Sequence, residues 1–161
     1  MTVTALESGY LRTVLASYPT GVAALAGVVD GVPVGLAANS FTSVSLDPPL
    51  VSVCVAHTSS TWPVLRTAHR VGVSVLSAEQ EEIGRVLSAR GVDRFAGLRW
   101  EATECGAIEI AGAAAWLETS VDQVVTAGDH DIVVLRVHDA VHRTEVNPLV
   151  FHASRFRRLA C

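Results

Sequence analysis

Between Gly21 and Ala38 eighteen residues carry one charge, Asp30. As a helix, an apolar run of this length would nearly cross a bilayer. Its centre forbids that reading. Asp30-Gly31 stands between two valine-rich, β-branched runs, the pattern of a two-residue hairpin whose type I′ turn requires positive φ at both central positions. Two antiparallel strands are therefore expected, and the chain is committed to an antiparallel sheet.

Composition agrees with a packed sheet. Half of the 161 residues are apolar and only 17% are charged, which excludes an intrinsically disordered chain. The length suits one domain over residues 1–161, with a core large enough to need no metal or disulfide staple. A net charge of −4 offers no global positive field for nucleic acid or an anionic membrane, so neither partner is expected. Cys54, Cys105 and Cys161 are odd in number and contain no CxxC pair, which suits a reducing cytoplasm better than a disulfide framework. The first residues lack the basic and apolar blocks of a signal peptide. Thr4 and Glu7 read instead as a capping box opening a helix, and no export is expected.

Helical spacing runs from Leu6 through Tyr10, Leu11, Val14 and Leu15 and stops at Pro19. Beyond the hairpin, Asp47-Pro48-Pro49 is expected to end any ladder, and Leu50 to Ala56 reads as a buried strand. Ser59-Ser60-Thr61 before Trp62-Pro63 marks a helix start. Val71 to Leu76 is a further strand, and Ser77 with Gln80 forms a capping box for a helix bearing Ile83, Val86 and Leu87 that ends near Gly91. Two long β segments, about 113–126 and 131–143, flank Ala127-Gly128-Asp129-His130, and short strands near 149–152 and 155–159 finish the chain. Six or more strands and about three short helices sharing one core predict an antiparallel barrel with helical decoration.

Neither a GxGxxG, GxSxG or HExxH motif nor a Walker loop occurs, which removes the commonest dinucleotide-fold, hydrolase and phosphoryl-transfer readings. His138 and His142 imitate an HxxxH metal pair, but four strand residues span about 13 Å, too far to share one ion. Gly35, Ala37 and Ala38 leave a strand bare, which suits either close approach of a flat ligand or a bend at a barrel corner. Ser59, Ser60 and Thr61 either cap a helix or, with its free N–H groups, seat an anion. Gly128-Asp129-His130 is an ordinary hairpin turn or a turn that sets an imidazole at a pocket edge, and His152 has the same two readings. Arg155, Arg157 and Arg158 read as a solvated strand face.

Taken together, Tyr18-Pro19-Thr20-Gly21-Val22, Gly35, and the run from Asn39 through Ser40-Phe41-Thr42-Ser43-Val44-Ser45-Leu46-Asp47-Pro48-Pro49-Leu50 resemble the short-chain flavin reductases of two-component monooxygenases. Asp93-Arg94-Phe95-Ala96-Gly97, Gly128-Asp129-His130 and Pro148-Leu149-Val150-Phe151-His152 resemble later motifs of that family in the same order. The resemblance implies a split β-barrel, mainly β with short helices, working as a homodimer. It further implies hydride transfer from NADH or NADPH to FAD or FMN, with the reduced flavin passed to a separate monooxygenase.

By position the family's flavin contacts fall on Val34, Gly35, Leu36, Ala37, Asn39 and Ser40, on Cys54, Val55 and Ala56, and on Ser60 and Thr61 near the phosphate. Its nicotinamide contacts fall on His130 and on Phe151, His152, Ala153 and Ser154. Ala153-Ser154 departs from the Arg-Gly frequent in relatives. No metal is implied. Such a protein need only align the hydride donor with the flavin at about 3 to 3.5 Å, so His130 is expected in the catalytic centre as a positioning residue and not as a general base. A flavin-binding barrel without NAD(P)H turnover is the alternative, and a haem-binding split barrel a third.

Overall fold

The computed structural model describes residues 6–160. In chain order the elements are α1 (Ser8–Leu15), β1 (Thr20–Gly21), β2 (Ala23–Val29), β3 (Val32–Ala38), β4 (Thr42–Leu46), β5 (Pro49–Ala56), α2 (Trp62–Leu65), β6 (Val71–Val75), α3 (Glu81–Ser88), β7 (Trp100–Ala102), β8 (Ile108–Ile110), β9 (Ala115–Ala127), β10 (His130–His142), β11 (Leu149–His152) and β12 (Arg155–Arg158). Seven strands form one antiparallel sheet in the order β3-β2-β6-β9-β10-β5-β4, while β1, β11 and β12 form a second and β7 and β8 a third.

The expected hairpin is present. Asp30 and Gly31 both have positive φ, at 51° and 77°, and Val29 pairs with Val32 across them. The large sheet also curls back on itself. Ser40, just past β3, accepts a hydrogen bond from the Cys54 N–H at 2.9 Å and donates to the Cys54 carbonyl at 3.0 Å, tying the β3 end of the sheet to β5. The result is the split barrel that the sequence implied.

Strand alternation gives the sheet two buried faces. Leu25, Val53, Val73, Val133 and Leu135 fill the barrel interior. Ala24 and Ala26, on the other face of β2, pack with Leu76, Leu87, Ile108, Ile110 and Leu149 beneath α3 and β8. The expectation of one core is thus corrected to two clusters sharing a sheet. Burial of each such Leu or Val contributes about 1.5–3 kcal/mol.

Gly72 permits the second layer. A Cβ there would lie 1.9 Å from the Ile108 carbonyl oxygen, which accepts a 3.0 Å hydrogen bond from Trp116 Nε1. The β7–β8 hairpin that makes this contact is an addition to the sequence reading, as its three-residue strands are too short to announce a period.

Two local expectations change. Asp47-Pro48 lies in a turn, and Pro49 opens β5 opposite Leu46, so the ladder passes around the prolines along edge strand β4. Glu7 sits at the start of α1 with no side-chain cap, while its proposed capping partner Thr4 lies outside the described residues. The Ser77–Gln80 pairing holds in part, with Gln80 Oε1 accepting from the Ser77 N–H at 3.0 Å and Gln80 Nε2 donating to Ala111.

Candidate functional site

One end of the curled sheet gathers most of the residues singled out above. Strand β3 lies at a sheet edge. In a two-residue hairpin the pair flanking the turn is hydrogen-bonded, and bonded pairs then alternate with non-bonded ones. Since Val29 faces Val32, the Val34 and Leu36 backbones bond to β2, while Gly35 and Ala37 turn their N–H and C=O groups outward. Pro33, which lacks an N–H, occupies another outward position, where none is missed. The side chains of Val34 and Leu36 pack on the barrel interior, and Ala37 packs on the second cluster.

Gly35 is bare for a reason the sequence did not disclose. A Cβ would meet the Leu25 carbonyl oxygen and Phe95 Cζ, each at 2.9 Å, and Ala26 Cβ at 3.0 Å. The missing side chain therefore makes room for the Phe95 ring, and Gly35 itself is buried, with its outward carbonyl taken by Arg94.

Arg94 joins three segments at this edge. Its Nε donates to the Ala89 carbonyl at 2.8 Å, and one terminal nitrogen donates to the Gly35 carbonyl at 2.9 Å and to Thr61 Oγ1 at 2.8 Å. Its other terminal nitrogen makes no hydrogen bond, and no carboxylate pairs with it, among the described residues. Burial, followed by the neighbouring Arg90 charge, lowers its pKa from the usual value. Arg94, Gly35, Ser60, Thr61 and Arg90 line a pocket of about 350 Å³. A larger hollow of about 840 Å³, under α3 and beside residues 145–147, shares only Arg94 with it and contains none of the flavin or nicotinamide contacts that the resemblance implied.

Helix α2 starts as its hydroxyls suggested, with Ser59 Oγ accepting from the Trp62 N–H at 3.1 Å. Ser59 therefore does the capping, and Thr61 Oγ1 serves Arg94. Asn39 and Ser60 are exposed, Cys54 is exposed beside Ser40, Val55 is buried in the barrel, and Ala56 is half-buried. An outward amide edge beside hydroxyls and an uncompensated guanidinium fits a flat heterocycle bearing carbonyl groups and a phosphate.

His130 opens β10 opposite Ala56 on one side and Ala127 on the other. Its Nδ1 lies 2.7 Å from Asp129 Oδ1, and the imidazole side chain is 43% exposed. This bond holds the Asp129 carboxyl below the usual range, and among the described residues Nε2 makes no hydrogen bond. A second pair, unforeseen from sequence, lies beside it. His57 Nε2 is 2.9 Å from Asp131 Oδ1, which also accepts from Thr126, and the His57 bond lowers the Asp131 pKa. Register puts Asp131 on the same face of β10 as Val133, toward the barrel interior, and His130 on the opposite face.

Phe151 to Ser154 stand on a different sheet. Phe151 packs edge-on against Phe156 at 5.3 Å within the second cluster, and Thr20 is its partner on β1. His152 is half-buried, and Ala153 and Ser154 are the exposed turn between β11 and β12. Among the described residues no hydrogen bond joins this turn to His130. Ala153 N–H donates instead to the Ala16 carbonyl at the end of α1.

The model of the flavin reductase like domain matches residues 15–160. A flavin reductase of Pseudomonas putida is 36% identical over 92% of this chain and 88% of that protein. The reductase subunit HsaB of a flavin-dependent monooxygenase from Rhodococcus jostii is 34% identical over 94% of this chain and 78% of its own length. Among solved structures, the Streptomyces globisporus NADH:FAD oxidoreductase SgcE6, in complex with NAD and FAD fragments, superposes with a TM-score of 0.90. It is 38% identical and covers 99% of this chain and 97% of that one. With its curled antiparallel sheet and a match spanning nearly its whole length, this chain belongs to the flavin reductase-like family.

Proposed function

We propose that the chain is an NAD(P)H:flavin oxidoreductase that transfers hydride from NADH or NADPH to FAD or FMN and supplies the reduced flavin to a separate flavin-dependent monooxygenase. The observation that carries this reading is the outward backbone edge of β3 beside Arg94 and Thr61. Bound flavin supplies the hydride-accepting chemistry. The protein's part is to bind and orient.

In this reading the outward N–H of Gly35 and the outward groups of Ala37, flanked by Val34 and Leu36, meet the ring edge, with Asn39 and Ser40 beside them. Cys54, Val55 and Ala56 floor the site, and Ser60 and Thr61 face the phosphate. His130, its Nδ1 held by Asp129, offers Nε2 to the nicotinamide side, together with Phe151, His152, Ala153 and Ser154. No side chain is asked to form a covalent bond.

A homodimer is part of the proposal. Helix α1 buries no residue, and Tyr10, Leu15 and Tyr18 are 64%, 63% and 77% exposed, an apolar face that a second copy would cover. Light scattering should give about twice 17.0 kDa, and a monomer that still reduces flavin would contradict it. A cytoplasmic location is proposed as well, and no described helix is long and apolar enough to cross a membrane. Anaerobic incubation of FAD and FMN with NADH and NADPH in parallel tests the activity. Bleaching of flavin absorbance that depends on the protein supports the reading, whereas flavin binding without bleaching favours a binding protein that does not turn over NAD(P)H.

A further inference from the structure

The turn that carries His130 is exposed, with Ala127, Gly128 and Asp129 all open to solvent. The Asp129–His130 bond joins chain neighbours, so it orients the ring but travels with the turn. Something else must fix the turn to the barrel, because strand ends with few buried contacts open readily.

His57 is placed to do so. It follows Ala56, the last residue of β5, which pairs with His130. The His57 N–H donates to the Asp129 carbonyl at 2.9 Å, one residue before His130. Its ring reaches diagonally to Asp131, one residue after, with Nε2 at 2.9 Å from Oδ1. An ionised carboxylate only accepts, so Nε2 carries the proton and donates. One residue thus holds the backbone on both sides of His130.

The far end of this tie is itself anchored. Asp131 Oδ1 also accepts from Thr126 on β9 at 3.1 Å, so a single carboxylate oxygen joins β9, β10 and the end of β5. The His57 bond first, and then Thr126 and the charges of His57 and Arg66, lower the Asp131 pKa and keep it an acceptor. Among the described residues no other side chain bonds to the turn at residues 127–129. An exposed pair of this kind adds little to global stability, so its use is local.

We propose that His57 is a positioning residue for the nicotinamide side, holding Asp129 and Asp131 so that His130 is presented in one place to NADH or NADPH. The inference rests on the reading that His130 Nε2 meets the nicotinamide. A fixed turn spares the bound dinucleotide the entropy of ordering it, and that gain appears as affinity.

The test measures reduction of saturating FMN by NADH and by NADPH, anaerobically in the stopped flow, for wild type, H57A, H57Q, H130A and the H57A/H130A double variant. H57A keeps the backbone bond to Asp129 and loses only the exposed ring, so the fold is not at stake. Its KM for the dinucleotide should rise by about 3- to 10-fold with kcat within about 2-fold, the pattern of lost ground-state binding. Flavin affinity, measured separately, should stay within about 2-fold. H57Q, whose amide still donates to Asp131, should return KM to within about 2-fold of wild type. In the H130A background the H57A change should add less than about 2-fold, since the group it positions is gone.

An H57A protein with the KM of wild type, beside an H130A protein that is impaired, would reduce His57 to a tie between strand ends and overturn the proposal. So would an undiminished H57A effect in the H130A background, or a failure of H57Q to recover. If H130A alone leaves KM and rate unchanged, the nicotinamide reading of His130 itself fails, and the proposal falls with it.

Discussion

The β3 edge and the His130 turn sit in one molecule but are built differently. At β3, Arg94 bonds three segments, Ser40 locks the barrel to Cys54, and Phe95 fills the space above Gly35. Disturbing any of these disturbs the fold. The proposed nicotinamide side is divided between His130, held by its neighbour Asp129, and the Ala153-Ser154 turn on another sheet. These pieces are locally anchored and exposed. One half of the proposed site is therefore part of the core's architecture, and the other is appended to strand ends, where loops commonly carry function on a rigid scaffold.

Substitutions should separate the two. The largest effect is expected for Gly35→Val, whose side chain must displace Phe95 or the β2 backbone. Overpacking of this kind costs about 1–3 kcal/mol, so thermal unfolding should shift down markedly, with flavin affinity falling alongside it. A variant that melts normally but binds flavin poorly would instead make close approach of a flat ligand the reason that the position is bare. A smaller and opposite change is expected at the β11–β12 turn. Ala153 and Ser154 both adopt positive φ, at 51° and 58°, a region disfavoured for residues bearing a Cβ. Joint Ala153→Asn and Ser154→Gly substitution should stabilise the protein by about 1 kcal/mol, read as a higher melting temperature. No rise would mean that the turn is unstrained.

The smallest effect concerns Asp131. Its pKa is lowered in the fold, chiefly by the His57 bond, so its contribution is present above the unfolded value of about 3.9 and is lost as pH falls through the lower folded value. The stability gap between wild type and Asp131→Asn should therefore close on acidification below about pH 4. A gap independent of pH there would remove this hydrogen-bonded pair from the account.

The fold was largely legible because its signals are local. Asp30-Gly31 and Gly128-Asp129 mark turns by composition, the strand patterns flank them, and Gln80 reaches only three residues back to Ser77. The site was legible by resemblance more than by chemistry. Arg94 meets Gly35 and Thr61 across sequence separations of 59 and 33, and His57 meets Asp131 across 74. No periodicity encodes such meetings. Gly35 is the instructive case, since a bare strand position looks the same in sequence whether a ligand or a Phe95 ring occupies the vacated space.

The division between the two halves is tested most directly by His130→Ala, with flavin affinity and flavin reduction measured separately on the same preparation. Losing one hydrogen bond to a bound cofactor costs about 0.5–1.5 kcal/mol, and up to about 3 if charge-assisted, so stopped-flow reduction by NADH should lose about 2- to 150-fold in efficiency. Flavin affinity should stay within about 2-fold, because the β3 edge and Arg94 are untouched. Unchanged reduction at every NADH concentration, or a loss of flavin affinity equal to the loss of rate, would contradict the account.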